Sequence, residues 1–395
     1  ASRKESLAAL RELGAAKRDN QVLIAAGCLI SRYGETVQRE VPEVDGVIDA
    51  GKWLALPRLV QYLQSDEEVP DDWLTNAYAG LPLEQITARS IVEQLPRVAQ
   101  GPSAYLKIAD GCDRPCTFCI IPTIKGAHRS KPADAVIAEA RDLVAQGVKE
   151  IVLVAQDTTA YGWDLRMRDA LAPLIERLCR EVEGLRWLRL MYTYPGHITP
   201  RLIETMARLP QVLHYIDVPL QHAHPETLKR MKRPNIVVTR QMLDDLRAAM
   251  PDLAIRTTFI VGFPGETDEE FAALMEFLQE QQFDRVGVFE FSREDGTPAA
   301  YLENPVAARV KKERREQAMA LQQKISLARN RALVGKTLDT LIEGMGDGVS
   351  VGRTYRDAPE VDGVVLVQKE LTPGNFARVK ITGAMEYDLV GEAIE

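Results

Sequence analysis

Three of the five cysteines cluster as Cys112, Cys116 and Cys119, spaced Cys-x3-Cys-x2-Cys, directly after a short apolar run in YLKIADGCDRPCTFCIIPTIKGAHRSK. Thiolates this close on one loop can all turn toward a single inorganic centre, and soft sulfur ligands favour iron-sulfur clusters, zinc or copper(I). A four-iron cubane is normally held by four cysteines, so three from one loop leave one iron free to bind something that is not protein. The competing possibility is a structural zinc knuckle, which needs a fourth Cys or His to close its tetrahedron. His128 is the only local candidate, and closed zinc sites usually pair their ligands as two short units. Of the other cysteines, Cys28 in AAGCLISRYG closes an expected strand, where an isolated buried thiol is ordinarily inert core. Cys179 lies beside the apolar face of a helix and is expected to be core.

The elements that must position the cysteine loop are regular. Apolar runs at Ala104 to Ala109, Ile151 to Ala155, Trp187 to Tyr192, Tyr215 to Val218, Ile255 to Val261 and Val286 to Phe291 read as strands. Amphipathic helices lie between them, among them 132–147 and one with Leu171, Leu174, Ile175, Leu178 and Val182 on one face. Six strand-helix units in a row predict a parallel sheet with right-handed crossovers. Six are too few for the usual eight-unit closed barrel, so the expected fold class is α/β with an open (βα)6 partial barrel. Barrel enzymes carry their chemistry on the loops that follow the strands. The cysteine loop follows the first strand, and AQDTTAYG, TYPGH, PLQHAH and GFPGET follow the next four. Gln156, Asp157, Gln221 and His222 are polar residues at these strand ends, and Gly262 and Gly265 let backbone approach a ligand closely or simply make a tight turn capped by Thr267. His197 and His224 read as surface or packing residues.

Around this barrel, residues 1–65 read as a small α/β piece and 66–102 as a linker, with SDEEVPDDW and PRVAQGPS lacking sustained periodicity. The barrel is expected over 103–334, ending in a long charged helix from Val306 to Leu333. In that helix Glu313 and Glu316 interrupt Lys311, Lys312, Arg314 and Arg315, so a solvated face is expected. Residues 335–395 alternate short strands with Gly and Pro turns, the pattern of a small antiparallel β-barrel. No apolar run approaches a membrane span, the N-terminus lacks a signal-peptide core, and the odd, clustered cysteines favour a reducing, cytoplasmic compartment. The net charge of −8 is a poor footprint for a nucleic-acid binder and favours a basic partner.

The cysteine spacing, with Phe118 before the third cysteine, resembles that of the radical S-adenosylmethionine (SAM) enzymes. Residues 20 to 395 are similar to the methylthiotransferase family within that superfamily. YLKIADGCDRPCTFCIIP, AQDTTAYG, YIDVPLQHAHPETLKRMKRP, RTTFIVGFPGET, FDRVGVFEFSREDGTPAA, GRTYRDAPEVDG and EYDLVGEAI carry the likeness. The resemblance implies an N-terminal cluster-binding domain, a radical SAM barrel and a C-terminal TRAM barrel. It implies a [4Fe-4S] cluster on Cys112, Cys116 and Cys119 with SAM at its open iron, and SAM contacts at Phe118, Gln156, Asp157, Gln221, His222, Arg256, Gly262 and Gly265. One electron would cleave SAM to methionine and a 5'-deoxyadenosyl radical, and a methylated sulfur held at a second [4Fe-4S] cluster would be transferred to the carbon that radical attacks. Three N-terminal cysteines hold that second cluster in the family. Only Cys28 matches, the other two being expected upstream of Ala1 in a longer protein.

Within the family the motifs are similar to the branch that modifies the β-carbon of an aspartate in ribosomal protein S12, with a flavodoxin or ferredoxin as electron donor. Transfer RNA is the alternative substrate. From Gly335 to Glu395 there are six Lys and Arg against eleven Asp and Glu, whereas a barrel that grips phosphates should be basic. An acidic barrel suits a basic ribosomal protein. A reading of another class is a non-catalytic adaptor with a zinc knuckle and a protein-binding barrel.

Overall fold

The computed structural model describes residues 2–49, 55–65 and 97–394; the expected linker lies mostly outside the described residues. The chain divides into two compact units, one taking in the described residues before Arg97 together with Thr123–Lys125, the other Arg97–Pro122 and Gly126–Glu395.

In the first unit, helix α1 (Ser2–Ala15), strand β1 (Ile24–Gly27), helix α2 (Cys28–Glu40), strand β2 (Gly46–Asp49) and helix α3 (Leu56–Gln64) follow in order. The two strands pair in parallel, and Leu7, Ala25, Ile30, Val37, Val41 and Val44 form the core. Helix α2 is not evident from the sequence pattern. Gly34 falls inside it and Tyr33 kinks it (φ −134, ψ 25), so the apolar period is broken although Ile30 and Val37 both face inward. Cys28 begins this helix and is exposed, which corrects the expectation of a buried thiol.

The second unit holds six parallel strands: β3 (Ser103–Lys107), β6 (Glu150–Val154), β7 (Trp187–Leu190), β8 (Val212–Asp217), β9 (Ala254–Val261) and β10 (Arg285–Glu290). Each lies beside its predecessor, in the order β10-β9-β8-β7-β6-β3, and the sheet does not close on itself. The connecting helices cover its outer face, with Val136, Ile137, Leu174, Ile175, Leu243 and Phe277 among the buried side chains of the core. The helix Asp268–Gln281 starts at a reciprocal cap between Thr267 and Glu270. The first strand is shorter than expected. Ala109–Asp110 (β4) leaves the sheet and pairs antiparallel with Arg129–Ser130 (β5), forming a neck for the cysteine loop.

The long helix spans Ala308–Arg331. Its expected solvated face holds for Lys312, which pairs with Glu316 one turn on, and for exposed Arg315. It fails for Arg314, which is buried against Glu266 and Asp268, and for Lys311, whose Nζ reaches the Phe291 carbonyl at 2.8 Å. A single helix turns both kinds of face outward or inward according to what the sheet presents, and charge pattern alone does not reveal that.

Strands β11 (Thr337–Gly346), β12 (Val349–Arg353), β13 (Val365–Val367), β14 (Phe376–Ala384) and β15 (Leu389–Ala393) close a small barrel. It packs under the N-terminal ends of the parallel strands. Leu341 and Ala358 join Val152, Trp187, Tyr215 and Ala254 in one cluster, and Phe376 meets Trp187 edge-on at 4.8 Å. Glu150 accepts from Arg189 Nε at 2.6 Å and from Arg353 Nη2 at 2.5 Å, all three side chains being buried. Burial alone would raise the Glu150 carboxyl, but the two guanidinium charges outweigh it and hold it down to about 2. Arg285 with Asp357 and Arg356 with Asp284 add buried pairs along the same seam.

Candidate active site

The cysteine loop emerges from the C-terminal end of the first strand. Gly111 has φ +73, and a Cβ there would stand 2.1 Å from the Ala127 carbonyl oxygen, so only glycine lets the two arms of the neck close. Cys112 N donates to Gly126 O at 3.1 Å and His128 N to Asp113 Oδ1 at 3.1 Å, fixing the base of the loop. Its far side is hung on a helix end: Thr117 N donates to Met231 O at 3.1 Å and Thr117 Oγ1 to Arg230 O at 2.8 Å. Phe118 packs with Met231, Phe263, Phe291 and Ala299. Burial pushes the Cys112 and Cys119 thiols up, and the negative charge that Cys116 would carry adds to the rise at both. Such thiols make poor free nucleophiles; they become thiolates when a cationic centre takes the charge, releasing protons as it binds.

Three thiols on one loop suit a cubane, in which each cysteine binds its own iron. His128, the fourth ligand a zinc knuckle would need, places Nε2 3.3 Å from Ser130 Oγ within the neck.

Beside the loop stands a cage of aromatic and cationic groups. Arg114 Nε donates to Asp157 Oδ2 at 2.7 Å, and its guanidinium lies 5.0 Å from the ring centroids of both Trp163 and Tyr194. His197 packs against Trp163 at 4.2 Å, with Nε2 3.2 Å from Arg114 Nη1 and Nδ1 3.6 Å from Asp157. Asp157 is buried and also caps the turn 158–160 by accepting from Ala160 N and Thr159 Oγ1. Burial acts to raise it, but His197, Thr159 and Arg114 beside it hold it below the usual carboxylate range. Arg233 stacks on Tyr194 at 4.3 Å and directs Nη1 to Cys116 Sγ at 3.6 Å.

Across the same face His222 is fully buried, with Nδ1 accepting from His224 N at 3.0 Å and Nε2 3.8 Å from Glu266 Oε2. Burial drives the imidazole down to about 3, so it is neutral. Gln221 has φ +76 and ties the loop after β8 to β9 through Thr258 O and Ile260 N; Tyr192, also left-handed at φ +58, lies just past the end of β7. Non-glycine residues in this conformation store strain that clusters at functional sites. Gly262 (φ +70) lets Lys311 pack across it, since a Cβ would meet the lysine Cγ at 2.3 Å, and Gly265 (φ +76) lies near Arg230.

The structure therefore brings Phe118, Asp157, Gln221, His222, Gly262 and Gly265 to the C-terminal face with the three cysteines. Gln156 is exposed at the end of β6. Arg256 points the other way along the barrel, pairing with Asp217 at 3.0 Å and with Asp362 of the small barrel at 3.3 Å. The sequence pattern does not single out Arg114, Trp163, Tyr194 or Arg233. The two arginines lie within YLKIADGCDRPCTFCIIP and YIDVPLQHAHPETLKRMKRP, but nothing in their spacing tells that they share one tyrosine ring.

Residues 106–278 match the family described as Radical SAM superfamily and residues 334–394 the TRAM domain. The chain is 47% identical over 418 residues to "Ribosomal protein uS12 methylthiotransferase RimO" of Roseiflexus castenholzii, covering 100% of this chain and 86% of that relative. It is 49% identical over 407 residues to the protein of the same name from Chloroflexus aurantiacus, covering 100% of this chain and 89% of the relative. Among solved structures, the radical SAM methyltransferase TsrM of Kitasatospora setae, with cobalamin and a [4Fe-4S] cluster bound, superposes with a TM-score of 0.55 at 16% identity. That match covers 74% of this chain and 62% of TsrM, and shows a shared fold. With both domains matched and relatives of that name aligned along the whole chain, this protein belongs to the RimO family of radical SAM methylthiotransferases.

Proposed function

We propose that this protein adds a methylthio group to the β-carbon of an aspartate in ribosomal protein uS12. The observation that carries the reading is the joint one: similarity to RimO relatives along the whole chain, with three cysteines, not four, on the first loop of the catalytic face. An unactivated C–H bond offers no proton acidic enough for a side-chain base, so cofactor chemistry must reach it. When bound, a [4Fe-4S] cluster supplies the electron that cleaves SAM reductively and so makes hydrogen abstraction from that carbon possible.

The chain's own residues do the rest. Cys112, Cys116 and Cys119 hold the cluster, and the neck at Gly111 and the Thr117 hydrogen bonds fix their loop. Phe118, Gln156, Asp157, Gln221, His222, Gly262 and Gly265 offer the SAM contacts; Arg256 acts on SAM only through Asp217, whose Oδ2 accepts from Tyr192 N at 3.0 Å. Cys28, exposed at the start of its helix, would be one ligand of a second cluster, which would supply the sulfur to be transferred. Functionally the chain divides at about residues 65, 102 and 334 into cluster domain, linker, radical SAM domain and TRAM domain. A flavodoxin or ferredoxin reduces it in the cytoplasm; no helix among the described residues is long and apolar enough to cross a membrane.

Transfer RNA is the second reading, and the surface of the C-terminal barrel argues against it. Of its six Lys and Arg, Arg353 and Arg356 are buried in ion pairs. The exposed Lys336, Lys369, Arg378 and Lys380 are matched by exposed Asp339, Asp347, Glu360, Glu370 and Glu392, so the exposed charge of the barrel is not basic, as gripping phosphates would need.

Anaerobic reconstitution with iron and sulfide, then dithionite and SAM, should give 5'-deoxyadenosine, and alanine at any of the three clustered cysteines should reduce it to background. Zinc uptake without a cluster and without that product rejects the radical reading in favour of an adaptor. Mass analysis of uS12 and transfer RNA incubated with the enzyme settles the substrate; a methylthio gain on RNA alone rejects the choice made here.

A further inference from the structure

We propose that Arg233 is a positioning residue that raises the reduction potential of the cluster by donating from Nη1 to Cys116 Sγ. The inference rests on the radical SAM reading above and adds to it a role for a residue outside the cysteine loop.

Both partners of this contact hang from one helix end. The helix Pro225–Met231 stops at Lys232, left-handed at φ +53, and Arg233 N returns to Leu228 O at 2.9 Å. The adjacent carbonyls of Arg230 and Met231 accept from Thr117, the residue after Cys116. The distance from guanidinium to sulfur is thus set by a common support. The guanidinium is further fixed by Pro219 O, which accepts from Nη2, and by the Tyr194 ring beneath it at 4.3 Å.

Two arginines flank the loop, and their charges differ in effect. Arg114 is neutralised by Asp157 at 2.7 Å. Arg233 has no ion pair among the described residues, and its Nε is buried without a hydrogen-bond partner, so its positive charge is uncompensated beside the sulfur. A guanidinium stays protonated at any pH a protein tolerates. Reducing the cluster by one electron adds negative charge, so an N–H···S bond and a fixed cation both favour the reduced state. A less accessible reduced state would slow SAM cleavage at the potential of a biological donor.

The test is an EPR-monitored potentiometric titration of the anaerobically reconstituted chain without SAM or uS12, comparing wild type with Arg233→Lys and Arg233→Gln. Iron and sulfide contents should match. At the wild-type midpoint, the reduced-to-oxidised ratio of the Gln variant should fall about tenfold, equivalent to about 59 mV for one electron. The Lys variant, keeping charge but losing the planar fork, should move less in the same direction. An unchanged midpoint in a fully loaded Gln variant overturns the proposal. If that variant does not load, an unchanged midpoint in the Lys variant overturns it, and failure of both to load makes Arg233 a structural residue and overturns it equally. Failure of the wild type to take up a cluster would instead remove the functional reading on which the proposal rests.

Discussion

At the N-terminal ends of the six parallel strands, Glu150, Arg189 and Arg353 are buried together with Arg285 against Asp357 and Arg356 against Asp284. Single N–H groups stay unpaired there, such as Arg189 Nη2 and Arg353 Nε, yet every one of these charges faces an opposite one. The C-terminal ends keep such pairs too, Arg114 with Asp157 and Arg314 with Glu266, but not for every group. Two thiols are raised by burial, His222 is kept neutral, Arg233 has no carboxylate partner among the described residues, and Tyr192 and Gln221 are held left-handed. One end of the sheet is matched to itself by the small barrel beneath it. The other leaves its chemistry incomplete, as a surface must if a ligand is to complete it.

The largest effect is expected at Glu150. Glu150→Ala leaves two buried guanidinium groups without their shared carboxylate and should cost about 3–5 kcal/mol in chemical denaturation. A loss no larger than that of a surface substitution would mean that the seam does not hold the unit together. Gly111→Ala probes the opposite end. Forcing a Cβ against Ala127 O in a left-handed residue should cost about 1–3 kcal/mol, and iron loading should fall further than stability does. Equal losses in both would show the neck to be ordinary framework.

Acid separates the ends again. His222 is held at about 3 against 6.5 unfolded, so the unfolded chain binds the extra proton. The stability this confers is full well above pH 6.5 and is lost as pH falls toward 3, about 2 kcal/mol of it by pH 5. His222→Gln should flatten that part of the profile. Glu150 behaves with the same sign but lower: its contribution is present above 4.5 and fades as pH drops to about 2. A profile in which His222→Gln changes only the region below pH 4.5 would assign the titration wrongly. Smallest of all, Lys369→Ala on the exposed barrel surface should alter stability by less than about 0.5 kcal/mol and leave uS12 modification unchanged. A clear loss of activity would reopen the case for phosphate contacts.

The open six-stranded sheet was legible because each strand is an apolar run followed by an amphipathic helix, and local periodicity survives translation into structure. The helix Cys28–Glu40 was not, because Gly34 and the kink at Tyr33 interrupt its period. Arg314 was misjudged for a different reason. Its neighbours in sequence are charged, but its partners Glu266 and Asp268 lie far back along the chain.

The same division runs through the site. Sequence by itself determined the three thiols, their order, the loop that carries them and the family they belong to, since ligand spacing on one loop is a local property. Tertiary structure decided that Arg233 reaches Cys116, that Arg114 is neutralised by Asp157 while Arg233 is not, and that Arg256 turns toward the C-terminal barrel. Charge acts through space and burial, and neither distance nor burial can be read from the spacing of residues along the chain.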